Sequence, residues 1–342
     1  MFLADVHRHT NRHPPDYRAA PRGATIVPAV VRICLLALFS LAVSPAQALY
    51  EVSGRLGTGG RVSVTLFGAN QPFTASTLSD QSGRFTFRKL EAATYTLAVY
   101  EPGRGEVRRT IEVGPSLADA RNRIRLTIPL RDADFDLAAG SRRHAVSARE
   151  LSIPERALRD FADAQHDLEK HDVESAEKRL DRAVEVAPQF AGAWNTLGTI
   201  AYQTHRFPLA EERFRRALEA DARAYEPLVN LGGVLVTLHK LDEALEVNVH
   251  AALSRPSDAL ANSQLGMVYF ELGQLDSAVK YLERARAIDP AHFSHPQLFL
   301  AEIHLRRGQK AEAAGVLEDF LLRHPDYPQA EAMRRGIVEL RQ

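Results

Sequence analysis

The stretch "SQLGMVYFELGQLDSAVKYLERARAIDP", Ser263 to Pro290, holds a Leu-Gly pair, two alanines and a proline at set intervals. Its apolar residues follow a helical period on either side of Gly273, which reads as two helices joined by a tight turn. Small residues inside helices mark places where a neighbour comes close. Gly266 on the first helix and Ala278 on the second are the expected meeting point, with Leu265, Tyr269 and Leu282 filling the space between. Gly273 is expected to end the first helix and Asp276 to cap the second. Ala285 leaves room for whatever packs next, and Pro290 stops the second helix.

The pattern recurs along the chain. Alanines equivalent to Ala278 stand at Ala176, Ala210, Ala244 and Ala313, at successive intervals of 34, 34, 34 and 35 residues. Prolines equivalent to Pro290 stand at Pro188, Pro256 and Pro325, with Ala222 in the remaining place, and the Leu-Gly pair returns at Leu197-Gly198 and Leu231-Gly232. A period held over four steps is the mark of a repeat array, in which each unit hides its apolar face against the next.

These residues resemble the tetratricopeptide repeat family. The best match is "WNTLGTIAYQTHRFPLAEERFRRALE", where Trp194, Leu197, Gly198, Ala210, Phe214 and Ala217 fall at the family's spacing. The likeness covers 154–325, about five helix pairs. Its edges depart from the pattern: Ala164 and Ala301 replace the glycine, and the last unit gains a residue near "HFSHPQ". Residues 326–342 read as a solvating end helix. The resemblance implies an all-α superhelical solenoid whose first helices line a concave groove that binds a peptide or protein segment. Carried over position by position, that groove comprises Phe161, Gln165, Asn195, Thr199, Tyr202, Val229, Gly233, Val236, Ser263, Met267, Phe270, Leu298, Glu302 and Leu305. Only Asn195 resembles the lysine and asparagine clamp of the family's chaperone-tail receptors. An apolar groove with aromatic anchors suits an apolar partner segment instead.

Residues 49–131 read differently. Val62, Val64 and Leu66, then Phe85 and Phe87, then Tyr95, Leu97 and Val99 alternate with polar residues, and glycine-rich turns interrupt them. Short strands at this spacing predict an antiparallel β-sandwich. Asp80, Gly83 and Phe85, followed by Leu90, Tyr95, Leu97 and Val99, resemble the carboxypeptidase regulatory-like domain, a transthyretin-like sandwich. Ala93 stands where that family often has glycine. Sandwiches of this type are similar to sugar-binding folds, so a carbohydrate-binding module is the alternative function, with the array as an assembly platform. It would require exposed aromatics among Tyr50, Phe67, Phe73, Tyr95 and Tyr100. Residues 132–153 are polar and charged and read as a linker.

The N-terminal 48 residues carry five arginines against two aspartates. "ICLLALFSLAV", Ile33 to Val43, follows them, and then a small-residue exit ending Ala46-Gln47-Ala48. This order is that of a secretory signal peptide cleaved after Ala48, which places the protein in the periplasm or outside the cell. Eleven residues span about 16 Å as helix, short of a bilayer of roughly 30 Å, so a retained anchor is the lesser alternative. The long basic region also allows translation to start downstream of Met1. Cys34 is the only cysteine, so no internal disulfide and no cysteine metal site are possible. Without residues 1–48 the chain has 38 basic against 41 acidic side chains, which does not favour a nucleic-acid partner.

Catalytic spacing is absent. The sequence has no G-x-S-x-G elbow, phosphate loop or H-E-x-x-H pair, and "GTGG" at 57–60 reads as a turn. "HRHTNRH" at 7–13 lies in the segment expected to be removed. His292 and His295 lack a completing ligand, so no metal and no cofactor are expected. Glu211, Glu212, Asp242 and Glu243 read as solvated helix faces paired with nearby basic residues. The reading is of a non-catalytic scaffold.

Overall fold

Period-two alternation becomes seven strands because each buries one face and wets the other. They are β1 Tyr50–Leu56, β2 Ser63–Gly68, β3 Thr74–Leu78, β4 Arg84–Leu90, β5 Ala93–Glu101, β6 Gly105–Val113 and β7 Arg123–Ile128. The structure, a computed structural model, describes residues 48–57, 61–131, 134–135 and 152–342. The expected signal segment and most of the expected linker lie outside the described residues.

The strands form two sheets, one in the order β4-β1-β7 and the other β3-β2-β5-β6. Val52, Phe85, Phe87 and Ile124 from the first sheet meet Val64, Leu66, Tyr95, Leu97 and Val99 from the second in one buried core. The sandwich differs from the expected antiparallel form at one pair: β1 runs parallel to β7, in register from Glu51↔Arg123 to Leu56↔Ile128. The turn at Asp80 forms as its residues predict. The Asp80 carboxylate accepts from the Ser82 and Arg84 amides at 2.8 and 2.9 Å, and Gly83 takes φ +75°.

Eleven helices follow among the described residues. Their pairs are α1 Glu155–Glu169 with α2 Val173–Val186, α3 Ala191–Gln203 with α4 Phe207–Ala220, and α5 Tyr225–Thr237 with α6 Leu241–Ser254. Then come α7 Ala259–Glu271 with α8 Leu275–Ile288, α9 Pro296–Arg306 with α10 Lys310–Arg323, and a last helix α11 Ala330–Leu340. The repeated alanines sit at the seams, all with no exposed surface. The glycine of the Leu-Gly pair meets a different residue from the one expected. A Cβ on Gly266 would lie 2.7 Å from Leu282 Cγ, and one on Gly198 would lie 2.6 Å from the Phe214 ring. The close approach is therefore to a large side chain one turn beyond Ala278, which glycine makes room for.

Two further local readings change. Asp276 does not cap α8: Gln274 is the N-cap, and Asp276 lies in the first turn with its carboxylate 2.6 Å from Arg307. After the left-handed Gly273 one residue is needed to start the helix, and this pushes Asp276 inside it, where a negative charge still suits the helix dipole. Glu211 is not on a solvated face. It is buried, with Lys240 at 2.7 Å and Arg215 at 2.8 Å. Those cations hold its carboxyl below the usual range although burial works in the opposite direction.

Candidate functional site on the concave face

Every first helix of the array ends on a residue in the left-handed region. These are His171, His205 and His239 with φ near +60°, then Gly273 and Gly308 with φ +74° and +72°. This conformation closes a helix by turning the chain back, and glycine takes it without steric cost. The three histidines stand 34 residues apart and in register with Gly273. His295, at φ +51°, absorbs the inserted residue before Pro296 opens α9.

The chain's own sandwich packs against the first helices of the array and the turns that join its units. Residues of β5 and β6 that alternate away from the sandwich core include Thr94, Thr96, Glu106, Arg108, Thr110 and Glu112, and these turn toward the array. Arg108 pairs with Glu106 at 2.7 Å and with Glu226, at the start of α5, at 3.3 Å. Arg255 reaches the same Glu226 carboxylate at 3.3 Å and lies 3.7 Å over the Tyr225 ring. Burial would raise the Glu226 carboxyl, but the two guanidinium groups win and hold it below the usual range.

Further contacts follow β6 along the edge of the sheet. The Thr110 amide donates to the buried Asp289 carboxylate at 2.9 Å, so an edge-strand donor finds its partner in the array. His324 meets Glu112 at 2.8 Å, and Asp326 accepts from the Ser116 amide and hydroxyl at 3.1 and 2.5 Å. At the other end Gln203 donates to the Gly68 carbonyl at 2.9 Å, and Phe73 stacks on His171 with centroids 4.9 Å apart.

A cavity of about 300 Å³ remains between the two parts. The sandwich contributes Phe67, Phe73, Thr96 and Arg108 to its wall, and the array contributes Gln165, Asn195, Thr199 and Val229. Asn195 there accepts from the Asn230 side-chain amide at 3.0 Å. These four array residues belong to the groove expected from the sequence. The other groove residues do not line this cavity.

Ser263 is fully buried, bonded to Ser294 at 2.7 Å, and Glu302 is buried against Arg306 at 2.8 Å. Phe270 is also buried, with the Arg306 guanidinium 4.4 Å from its ring centre. Phe161 packs against Phe190 at 4.9 Å. Tyr202 is exposed, its hydroxyl 3.3 Å from that of Thr237, while Val236, Met267, Leu298 and Leu305 are half-buried. On the sandwich, Tyr50, Phe73 and Tyr95 are buried and Phe67 faces the cavity. Of the five aromatics that the sugar-binding alternative requires, only Phe67 is exposed, on the cavity wall, and Tyr100 is half-buried. The reason is packing: three of the five are core or interface residues. No group of three possible metal ligands occurs among the described residues.

Comparison with known proteins agrees with this architecture. Residues 57–127 match the carboxypeptidase regulatory-like domain. Tetratricopeptide repeat families match 161–227, 195–249, 229–293 and 269–337. The repeats cover more than half of the chain, which belongs to the tetratricopeptide repeat proteins and carries a carboxypeptidase regulatory-like domain before the array. The type IV pilus assembly protein PilF of Pseudomonas aeruginosa is 30% identical over 121 residues, covering 34% of this chain and 48% of that protein. The human cell division cycle protein 16 homolog is 30% identical over 119 residues, covering 32% of this chain and 19% of its own. The chain spans less than half the length of both curated relatives. Among solved structures, PilW, described as a widely conserved type IV pilus biogenesis factor, has a TM-score of 0.49 at 22% identity, covering 55% of this chain and 86% of that one. YrrB, described as a repeat protein with an unusual peptide-binding site, has a TM-score of 0.44 at 23% identity, covering 56% and 100%. The matched families are repeat and accessory domains, and no enzyme family is among them. No helix among the described residues is long and apolar enough to cross a membrane.

Proposed function

We propose that the protein is a non-catalytic interaction scaffold of the cell envelope or exterior that holds an apolar segment of a partner protein on its concave face. The observation that carries this is the division of that face. Gln165, Asn195, Thr199 and Val229 lie under the sandwich, whereas Tyr202, Val236, Met267, Leu298 and Leu305 do not line the cavity beneath it and keep part of their surface exposed. Exposed or half-buried apolar and aromatic side chains at successive first helices suit an apolar helix or extended segment. Similarity to a pilus assembly protein fits a role in envelope assembly.

Tyr202→Ala combined with Leu305→Glu tests the open strip, because neither residue is fully buried and the fold should tolerate both. Used as bait against an envelope extract, the wild-type chain should retain a discrete protein that the double variant loses. Equal retention by both would remove the strip from the function. Secretion by cleavage after Ala48 is checked separately by the N-terminal mass of the protein recovered outside the cytoplasm. An uncut N-terminus would favour a retained anchor.

A further inference from the structure

The sandwich has a second face, which points away from the array. On β4, β1 and β7 the residues alternating outward are Arg84, Thr86 and Arg88, then Glu51, Ser53 and Arg55, then Arg123, Arg125 and Thr127. Strand register sets them in rows. Arg84, Arg55 and Thr127 form one row, Thr86, Ser53 and Arg125 the next, and Glu51 and Arg123 share a third. Five of these nine residues are arginines, in a chain that is otherwise close to neutral.

Two of the arginines are neutralised: Arg88 pairs with Glu51 at 3.0 Å and Arg123 with Asp119 at 2.9 Å. Arg55, Arg84 and Arg125 are exposed and none has a carboxylate within ion-pair distance among the described residues, although Asp80 in the adjoining turn feels the charge of Arg84. Arg55 and Arg84 stand directly opposite each other across an antiparallel pair. Like charges at that spacing destabilise a sheet, so folding alone gives no reason to place them there. The face carries no aromatic on which a base or sugar could stack and no large apolar residue to enter hydrocarbon. Serine and threonine lie between the arginines and add no charge that would compete for the guanidinium groups of Arg55, Arg84 and Arg125.

We infer that this arginine face docks on an anionic phospholipid surface. Arginine is suited to the task because its planar fork binds phosphate oxygens two at a time. Geometry favours a bilayer over a linear polyanion. The charges repeat about 4.8 Å across strands and about 7 Å along them, so they tile a plane and do not follow a single track. Such docking leaves the array on the far side of the sandwich from the lipid, where its partner strip remains accessible.

Vesicle flotation of the full chain tests this with phosphatidylcholine alone and with added phosphatidylglycerol. The phosphatidylcholine arm measures any binding by the N-terminal apolar segment. Phosphatidylglycerol should increase partitioning, and raising salt should reverse the increase. Each of Arg55→Gln, Arg84→Gln and Arg125→Gln should weaken partitioning about fivefold, and the triple variant roughly a hundredfold. The corresponding triple lysine variant should keep most of the binding. The triple glutamine variant should melt at the wild-type temperature or above it, since a repulsion is removed, and this separates lost docking from lost folding. Partitioning that ignores phosphatidylglycerol, or that the triple glutamine variant retains, would overturn the inference. So would binding to dextran sulfate or duplex DNA that depends on the three arginines while vesicle binding does not.

Discussion

The seams between the paired helices of each repeat and the contact between sandwich and array are built from opposite materials, the first fully buried and the second only partly so. Between helices the seam consists of Ala176, Ala210, Ala244, Ala278 and Ala313, with Leu180, Phe214 and Leu282 packed against them. Between the two parts of the molecule it is mostly polar, with Glu106, Arg108, Glu226 and Arg255, the Thr110–Asp289 bond and the His324–Glu112 pair beside the Phe73–His171 stack. A largely apolar seam gains from every apolar contact and leaves few polar groups to satisfy, Asn248 being the exception at the Leu282-equivalent position. A charged contact must first offset the desolvation of its ions, so its net strength is smaller and depends on salt and pH. The array is thus held together as one piece, and the sandwich is seated on it by interactions that solution conditions can alter.

This contrast breaks most severely at the seams. Ala278→Leu forces a large side chain into a fully packed site and should cost about 1–3 kcal/mol, read as a lower denaturant midpoint for the whole array. An unchanged midpoint would mean that the seam has slack.

Asp289→Ala attacks the other kind of contact. It leaves the Thr110 amide without an acceptor in a buried setting, at a cost of about 1–2 kcal/mol. Hydrogen exchange should show β6 losing protection while the interiors of the repeat helices keep theirs. Equal loss in both would show that sandwich and array unfold as one.

Acid sharpens the comparison further. Burial pushes His295 down to about 3, with His324 and His292 adding repulsion, and burial likewise lowers His292. Between that value and about 6.5 the unfolded chain binds a proton that the folded chain refuses. Stability from His295 is therefore complete above about pH 6.5 and declines as pH falls toward 3, by at most about 1.4 kcal/mol per pH unit. His295→Asn keeps a residue tolerant of the left-handed conformation and should flatten the pH dependence of the denaturant midpoint. The same slope in both proteins would assign the acid sensitivity to other groups.

The smallest effect is expected at a turn. His239 occupies the left-handed position that Gly273 and Gly308 hold in later repeats, and it is exposed. His239→Gly relieves steric strain but adds chain entropy to the unfolded state, so it should stabilise by less than about 1 kcal/mol. A lower melting temperature would show that the imidazole makes a contact worth more than the strain.

Much of the architecture was legible because it is local or periodic. Alternation at Tyr95, Leu97 and Val99 specifies a strand's inner face from neighbouring residues alone, and all three are buried. The 34-residue alanine spacing marks seams because the two helices of every unit meet in the same way. Misreadings arose where one residue's offset decided the outcome. Asp276 lies two positions beyond the actual cap, and the parallel pairing of β1 with β7 joins strands from opposite ends of the domain.

The amino-acid order by itself determined what each segment becomes, a sandwich strand or a repeat helix, because those choices rest on hydrophobic period and turn chemistry within a few residues. Only the tertiary structure decided that the sandwich sits against the first helices of the array and the turns between its units. Thr110 and Asp289 are 179 positions apart, and Glu112 and His324 are 212 apart. Nothing periodic marks such pairs. A single carboxylate and a single amide become partners only when the curvature of the array and the exposed edge of β6 bring them within hydrogen-bond distance.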